Sequence, residues 1–313
     1  YPWFKGRFDA THREIENLHP NAVIFVDYPG FNLRLARSLH EGAGPARLIN
    51  FISPQVWAWK KDRIQGMADW LDLMLCLFPF EKEIFENAGL PTVCMGHPMV
   101  DQLEAGRIEA RREENLVGLF PGSRKNEISR IFPTMVEAVA QLHEKFPAWR
   151  FEASAASQLM EDQMRSILDA HPAKQLPLAI VQGRSHELMQ RAWSGVVTSG
   201  TATLEASYYG LPYCLVYKVA WLTYLAGRAV VDIEHLGLAN ILAGREIVHE
   251  FIQHEANAAN ISSFLESVMT DEIRWRELER NLLDAAARLG GGGAAKVAAQ
   301  AIVELLEGQS DGV

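Results

Sequence analysis

Residues 199–201, Ser-Gly-Thr, have the types and the spacing of a turn that could bind phosphate. They follow an apolar run at 194–198, which predicts a buried strand, and they precede a short helix that must end at Gly210 and Pro212. In such a turn the free N–H groups of the helix start, its positive dipole end and the hydroxyls converge. Glu205, one turn into the helix, is placed to accept hydrogen bonds from sugar hydroxyls. The segment therefore indicates a nucleotide-sugar site, although Ser and Thr are also ordinary helix caps.

A second turn of the same kind lies upstream, at Pro-Gly-Ser-Arg, residues 121–124. It joins a predicted strand at 115–120 to an amphipathic segment at 131–146. Glycine there lets the backbone approach a ligand closely, serine can cap the helix, and the fork of Arg124 fits a diphosphate. The alternative is a capped helix whose Arg124 and Lys125 are merely solvated. Two such turns, both where strands run into helices, point to the crevice at the carboxyl ends of parallel strands.

Composition and charge limit the class of protein. The chain has 313 residues, of which 48% are hydrophobic and 22% are charged, so it is globular and long enough for two domains. Its net charge of −9 and the lack of a dense Lys/Arg stripe argue against nucleic acid as the main partner. Any phosphate site should then be a local basic pocket on an acidic body. Cys76, Cys94 and Cys214 show no metal or redox spacing, so we expect three core residues in a reducing, cytoplasmic compartment.

Nine apolar runs predict strands, and the helical patterns between them predict parallel sheets. The strands are expected near residues 22–27, 47–52, 71–77, 92–95, 115–120, 151–156, 178–182, 195–198 and 213–217. A polar connector at 106–114 marks the domain boundary, which predicts an N-terminal domain at 1–106 and a C-terminal domain at 107–293. Four glycines at 290–293 would let a final helix, 294–307, turn back onto the first domain.

Three further motifs lie in the first half of the chain. They are Val-Ile-Phe-Val-Asp-Tyr-Pro-Gly-Phe-Asn at 23–32, Phe-Ile-Ser-Pro-Gln-Val-Trp-Ala-Trp-Lys at 51–60 and Met-Gly-His-Pro-Met-Val-Asp at 95–101. Together with Leu-Phe-Pro-Phe-Glu-Lys at 77–82, Asn-Ile-Leu-Ala-Gly-Arg-Glu at 240–246 and the two turns, they resemble lipid-A-disaccharide synthase, an inverting glycosyltransferase. The resemblance runs essentially end to end. It implies the α/β fold called GT-B, in which two Rossmann-like parallel-sheet domains face a central crevice.

The resemblance also implies a reaction. UDP-2,3-diacylglucosamine would donate its sugar to 2,3-diacylglucosamine 1-phosphate, which forms lipid A disaccharide 1-phosphate and releases UDP. Inversion needs one in-line displacement, a base for the acceptor proton and a group that holds the leaving diphosphate. Asp27 matches the family's base, although its carboxylate could instead cap the following helix. The expected donor-site residues are Gly122, Ser123, Arg124, Ser199, Gly200, Thr201, Glu205, Asn240 and Arg245, with Asn32 and His97 as further candidates.

No metal or other cofactor is predicted. The chain has no Asp-x-Asp pair, so we expect helix N-termini and arginine, rather than Mg²⁺, to hold the diphosphate. His186, His235 and His249 lack metal-ligand spacing and are interpreted as surface or ordinary polar residues. His97, next to Pro98, is either a donor contact or a structural loop residue.

Acyl chains on both substrates imply a peripheral protein at the cytoplasmic face of the inner membrane. No targeting signal and no apolar run of membrane-spanning length is visible. Two segments mix aromatic rings with cations, as interfacial segments do, and filling of the two cores is the alternative. They are Trp57, Trp59, Lys60, Lys61 and Arg63, and Trp221, Leu222, Tyr224, Leu225 and Arg228.

Family members begin several dozen residues earlier, with a strand and a Gly-Glu-x-Ser-Gly-Asp turn. The resemblance therefore implies a first domain without its opening strands, in which the strand at 22–27 has an unpaired edge. We expect the chain to bind UDP, to be catalytically inactive or nearly so, and to self-associate through its first domain. A UDP-sugar epimerase of the same fold and a non-catalytic nucleotide-sugar-binding protein stay open as alternative functions.

Overall fold

The computed structural model describes residues 2–56, 62–173, 175–219 and 234–308. The chain forms two compact units. Unit 1 comprises Tyr1–Asp101 and Leu289–Val313, and unit 2 comprises Gln102–Arg288. Each unit contains a parallel sheet, as the alternation of apolar runs and helical patterns predicts.

Strands and helices alternate along most of the described chain. The strands are β1 (Ala22–Val26), β2 (Arg47–Phe51), β3 (Leu73–Cys76), β4 (Thr92–Cys94), β5 (Glu113–Phe120), β6 (Arg150–Ala155), β7 (Leu178–Gln182), β8 (Ala192–Thr198), β9 (Tyr213–Tyr217) and β10 (Glu250–Ile252). The helices are α1 (Pro2–Leu18), α2 (Pro29–Glu41), α3 (Arg63–Trp70), α4 (Pro79–Asn87), α5 (Met99–Ala105), α6 (Lys125–Lys145), α7 (Gln158–Ala170), α8 (Ser185–Arg191), α9 (Thr201–Tyr208), α10 (Leu238–Ala243), α11 (Ala258–Thr270), α12 (Glu272–Ala286) and α13 (Ala294–Glu307).

Unit 1 has a four-stranded sheet in the order β1-β2-β3-β4. Strand β3 is buried along its whole length, as expected for a parallel strand that helices cover on both faces. On one face of the sheet, Ala294, Ala298 and Ala301 of α13 pack with strand residues in one core cluster, because small side chains allow a close approach. Within the described residues β1 pairs only with β2, and Ile24 and Val26 are 46% and 58% exposed. Strand β1 is therefore an apolar edge.

The three cysteines are free thiols, and two of them are neighbours. Cys76 and Cys214 are buried as expected, whereas Cys94 is only half-buried. Cys76 of β3 is the register partner of Cys94 of β4, and a hydrogen bond from the Cys76 thiol lowers the pKa of Cys94. Sequence spacing did not indicate this pair, because strand register brings the two residues together.

Unit 2 has a six-stranded sheet in the order β10-β9-β8-β5-β6-β7. The first strand of the unit, β5, lies next to β8, so successive strands run outward to one side and then to the other. This is the doubly wound order of a Rossmann fold, and its switch point lies between β5 and β8. A single large core cluster packs α6, α7 and α11 against this sheet.

All nine predicted strands are confirmed to within three residues at each end. The three-residue strand β10 was not predicted. Helix α6 begins at Lys125, ahead of the predicted start at 131, because Glu127 in its polar first turn binds the preceding turn. The helix also continues through Pro133.

Candidate functional site

The two predicted turns meet at one cleft in unit 2. Its volume is about 660 Å³, and it lies at the carboxyl ends of the strands, where β5 and β8 are neighbours. Ligands of doubly wound sheets bind at this switch point. Seven of the predicted donor-site residues line the cleft, namely Gly122, Ser123, Arg124, Ser199, Gly200, Thr201 and Glu205.

The turn between β8 and α9 leaves its polar groups available to a ligand. Gly200 has φ +144°, and open space surrounds the position of an added Cβ, so the backbone is accessible here. Its carbonyl accepts hydrogen bonds from the N–H and the hydroxyl of Thr203, which fixes the turn. The first N–H groups of α9 have no acceptor inside the helix. The buried hydroxyl of Thr198, in the cleft lining, has no hydrogen-bond partner among the described residues.

The turn between β5 and α6 is closed by a carboxylate of the chain itself. Glu127 Oε2 accepts hydrogen bonds from the backbone N–H groups of Ser123 and Arg124, both at 3.2 Å. Glu127 Oε1 accepts from Nη1 of Arg124 at 2.8 Å. Gly122 is required, because its φ is +102° and an added Cβ would lie 2.5 Å from Glu127 Oε2. The expectation of a serine cap was therefore wrong, since Glu127 satisfies this helix start.

A third turn, which sequence reasoning did not assign to the site, also lines the cleft. It joins β7 to α8 and contributes Gly183, Arg184 and His186. Nε2 of His186 lies 3.6 Å from a carboxylate oxygen of Glu205, and the histidine side chain is 40% exposed, as expected for a polar surface residue. The sequence feature that could have identified this turn is Gly183, which directly follows a strand, as a glycine does near the strand end in the other two turns. The residues at the end of β6, Ser154 among them, complete the lining.

Each basic side chain of the lining lies next to a carboxylate. Arg124 pairs with Glu127, Arg184 with Glu187, and His186 with Glu205. Two arginines thus face three glutamates, so the expectation of a basic pocket was wrong. Any anion that binds in the cleft must use fixed N–H groups and arginine donors that remain after this pairing.

Asn240 and Arg245, the other two predicted donor-site residues, do not line this cleft. Asn240 is fully buried. Its amide oxygen accepts from the N–H groups of Ile247 and Val248, and its amide nitrogen donates to Val248 O and to Glu250. The structure thus gives Asn240 a structural role, since its hydrogen-bonding capacity is used within one segment. Arg245 is exposed and donates to Asn281 Oδ1 at 3.0 Å.

Asp27 occupies a strained turn at the carboxyl end of β1, in unit 1. Its φ is +54° and that of Tyr28 is +44°, values that non-glycine residues rarely adopt and that concentrate at functional sites. Asn32 stabilises the turn by donating its amide to the carbonyls of Val26 and Asp27. No side chain caps α2, so the capping alternative for Asp27 is wrong.

Asp27 is part of the lining of a smaller cleft in unit 1. This cleft has a volume of about 340 Å³, and Asn50, Ser53 and Arg63 are also in its lining. Within the described ranges the carboxylate has no hydrogen-bond or ion-pair partner, and the buried Ser53 hydroxyl also has none. A free carboxylate on a rigid turn is suited to accept a proton.

His97 has a structural environment in unit 1. Its Nδ1 accepts the N–H of Met99 at 3.2 Å, and its own N–H donates to Leu289 O at 2.8 Å. Burial lowers the pKa of its imidazole. These contacts favour the structural interpretation of this loop histidine.

Most of the two aromatic and cationic segments lies outside the described residues. This applies to Trp57, Trp59, Lys60 and Lys61, and to Trp221, Leu222, Tyr224, Leu225 and Arg228. Within the part of the chain that the structure describes, no helix has both the length and the apolar character to cross a membrane. In the same ranges, no three His, Cys, Asp or Glu side chains come together as a metal site needs.

Solved structures with two domains of this kind resemble the chain. A UDP-GlcNAc 2-epimerase from Neisseria meningitidis, bound to UDP-GlcNAc, superposes with a TM-score of 0.56 at 10% identity, over 96% of this chain and 81% of that one. A trehalose-6-phosphate synthase superposes with a TM-score of 0.52 at 14% identity, over 96% of this chain and 76% of that one. At such identities the likeness shows the fold alone, and it confirms the predicted GT-B class.

Sequence comparison is more specific. A family model described as lipid-A-disaccharide synthetase matches residues 3–302. The lipid-A-disaccharide synthase of Trichlorobacter lovleyi is 36% identical over 296 residues, which cover 92% of this chain and 76% of that protein. That of Geobacter sulfurreducens is 35% identical over 307 residues, which cover 96% and 79%. The chain belongs to the lipid-A-disaccharide synthetase family of glycosyltransferases.

Proposed function

We propose that the protein transfers 2,3-diacylglucosamine from UDP-2,3-diacylglucosamine to 2,3-diacylglucosamine 1-phosphate with inversion. The acceptor hydroxyl oxygen forms a bond to the anomeric carbon while the bond from that carbon to the diphosphate breaks. The hydroxyl proton passes to a carboxylate, and UDP leaves. The observation that carries this proposal is the cleft at the switch point of unit 2, lined by three glycine-containing turns in a chain of this family.

The unit 2 cleft supports binding of the donor. The start of α9 offers N–H groups and the hydroxyls of Ser199 and Thr201 to the diphosphate. The guanidinium of Arg124 keeps donors beyond the one bound to Glu127, and these suit a second phosphate contact. Glu205, held beside His186, is placed to accept hydrogen bonds from ribose or sugar hydroxyls.

Asp27 is the proposed base. Its exposed carboxylate stands on a turn that Asn32 fixes, so the group is ready to take the acceptor proton without prior rearrangement. Asn32 is thus a positioning residue rather than a group that reacts. The proposed donor site does not contain Asn240, Arg245 or His97, because the polar groups of these side chains form hydrogen bonds within the protein.

A surface of unit 1 supports contact with acylated substrates at a membrane. The rings of Trp3, Phe4 and Tyr28 are exposed by 65%, 39% and 55% and pack against one another at the start of α1 and α2. Beside them is an apolar cleft of about 560 Å³ whose lining includes Lys5 and Arg34. Aromatic rings with cations are typical of surfaces that lie in the headgroup region of a bilayer.

The test replaces Asp27 by Asn and measures transfer and UDP binding together. A general base contributes about 10²–10⁴-fold, so turnover should fall by that factor while the dissociation constant of UDP stays within about twofold. Asp69→Asn, an exposed carboxylate on α3 that accepts from Gln65, is the matched control and should leave turnover unchanged. Near-normal turnover of Asp27→Asn would show that Asp27 is not the general base.

The same assay separates the alternatives. UDP binding by the wild-type chain without any turnover would indicate a non-catalytic binding protein. Conversion of the donor to an epimer without acceptor, followed by NMR, would indicate an epimerase. Addition of EDTA should change neither UDP binding nor turnover. A strict requirement for Mg²⁺ would contradict the proposal that backbone N–H groups and arginine bind the diphosphate.

A further inference from the structure

Glu127 occupies the position in the cleft that an anion would take at the start of α6. Its carboxylate receives two backbone N–H groups and one guanidinium N–H, at distances of 3.2, 3.2 and 2.8 Å. Those three donors are the set that Pro-Gly-Ser-Arg would otherwise offer to a phosphate. The turn is therefore already neutralised, by a residue that itself lines the cleft.

We propose that Glu127 is an internal counter-anion of the phosphate site, which weakens the retention of UDP and so promotes its release after transfer. This inference rests on the proposed function, because it concerns the same cleft. It assigns to Glu127 a role in ligand affinity, in addition to its hydrogen bonds to the backbone of the turn before α6.

The charge of the ligand explains why the product would be affected most. The diphosphate of a UDP-sugar is esterified at both ends and carries two negative charges. UDP has a free terminal phosphate whose second ionisation lies near pH 6, so it carries close to three negative charges at pH 7.5. Breaking the bond to the sugar thus adds a charge beside Glu127. Repulsion rises at the moment when the leaving group has to depart.

The rest of the lining does not share this arrangement. Glu187 pairs with the side chains of Arg184 and Arg191, and none of its hydrogen bonds involves the backbone of a turn. Glu205 contacts His186 at 3.6 Å. Among these three carboxylates of the described lining, Glu127 alone accepts hydrogen bonds from backbone N–H groups, those of Ser123 and Arg124 in the turn. Removal of its charge should therefore have a larger effect than removal of that of Glu187.

The experiment measures UDP binding by isothermal titration calorimetry at pH 7.5 for the wild type and for Glu127→Gln. Glutamine keeps an oxygen acceptor for the turn but removes the charge. One unit charge a few ångströms from a phosphate at a protein surface corresponds to roughly 5- to 20-fold in affinity, so the dissociation constant of UDP should fall by that factor. Glu127→Ala, which removes the carboxylate entirely, should also tighten binding. Glu272→Gln, at a 66% exposed carboxylate of α12 that pairs with Arg276 and does not line the cleft, is the matched control, with a change below about twofold.

Turnover supplies a second readout. Product inhibition by UDP should become stronger in Glu127→Gln by the same factor. The KM for the donor should fall by a smaller factor, because the diphosphate of the donor carries one negative charge fewer than UDP. Unchanged or weaker UDP binding in both Glu127 variants, with thermal melts that show intact folding, would overturn the inference. An equal gain in Glu272→Gln would show a general effect of net charge and would also overturn the inference. If the wild type does not bind UDP at all, the proposed function itself fails.

Discussion

At the scale of single residues, Arg124 connects the fold to the proposed ligand. Its side chain is 80% exposed, and it forms an ion pair with Glu127 three residues later. Such an exposed pair contributes little to folding stability. A charge-assisted contact to phosphate contributes about 1.5–3 kcal/mol, so Arg124→Ala should weaken UDP binding by roughly 10- to 150-fold, measured by calorimetry.

Arg165 provides the control for Arg124. It is an exposed arginine of α7 paired with Glu161 four residues earlier, and it does not line the cleft. Arg165→Ala should leave UDP binding unchanged, and both variants should melt close to the wild type. If the dissociation constant of UDP is unchanged in Arg124→Ala, Arg124 does not bind the diphosphate and is only a solvated residue at the start of a helix.

The sequence predicts a site residue well when the residues next to it in the chain determine its geometry. Glycine and hydroxyl residues directly after an apolar strand identify the turns at 121–124 and 199–201, because the chain alone dictates their geometry. Strand order decides that the turn with His186 joins them, and sequence does not encode that order locally. Asn240 lies outside the cleft lining and is fully buried. An asparagine whose amide binds its own segment cannot be distinguished, in the sequence, from one that binds a ligand.

At the scale of secondary structure elements, Arg112 anchors the start of β5. Its side chain is 12% exposed, and the guanidinium donates to the carbonyls of Met189 and Ala192 at 2.8 and 2.7 Å, and to that of Tyr209. These carbonyls end α8, begin β8 and follow α9. Burial lowers the pKa of Arg112 to about 10, so the group stays charged at neutral pH.

We predict that Arg112→Met destabilises unit 2 by about 3 kcal/mol. Methionine fills a similar volume but leaves buried carbonyls unsatisfied, and each such group costs roughly 1–3 kcal/mol. Urea unfolding followed by fluorescence measures the loss. Arg276→Met is the control, because Arg276 is a 71% exposed partner of Glu272 on α12 and should cost less than about 0.5 kcal/mol. Equal unfolding midpoints for the two variants would contradict the anchoring role.

The elements that sequence analysis predicted well have long, strongly apolar patterns. Strand β10 has three residues and one buried apolar side chain, Phe251, so its pattern is too short to predict a strand. The start of α6 was missed because its first turn is polar, and a periodic apolar pattern appears only from Ile128 onward.

At the scale of the whole molecule, strand β1 favours self-association. Its outer edge pairs with no described strand, and Ile24 and Val26 are exposed beside it. Such an edge is a template for pairing with another chain. We therefore predict that the 313-residue chain forms oligomers that Ile24→Lys reduces, because a charge on an edge strand opposes pairing. Light scattering at several concentrations measures the change.

The control for this prediction is Ile273→Lys, at an 82% exposed position of α12 in unit 2. It should leave the mass distribution as in the wild type. A monodisperse wild-type monomer, or an equal effect of both substitutions, would rule out association through β1.

The pairing of Arg124 with Glu127 and of Arg184 with Glu187 has a consequence for binding entropy. A free arginine side chain loses up to about 2 kcal/mol of rotamer freedom when a ligand immobilises it. Here each arginine is tethered to a glutamate three residues later on its own helix start, so part of that freedom is already lost in the unliganded protein. Ligand binding then restricts fewer side-chain rotamers, so the arginine donors are pre-organised for a diphosphate. The neighbouring carboxylates at the same time limit the affinity of the cleft for that anion.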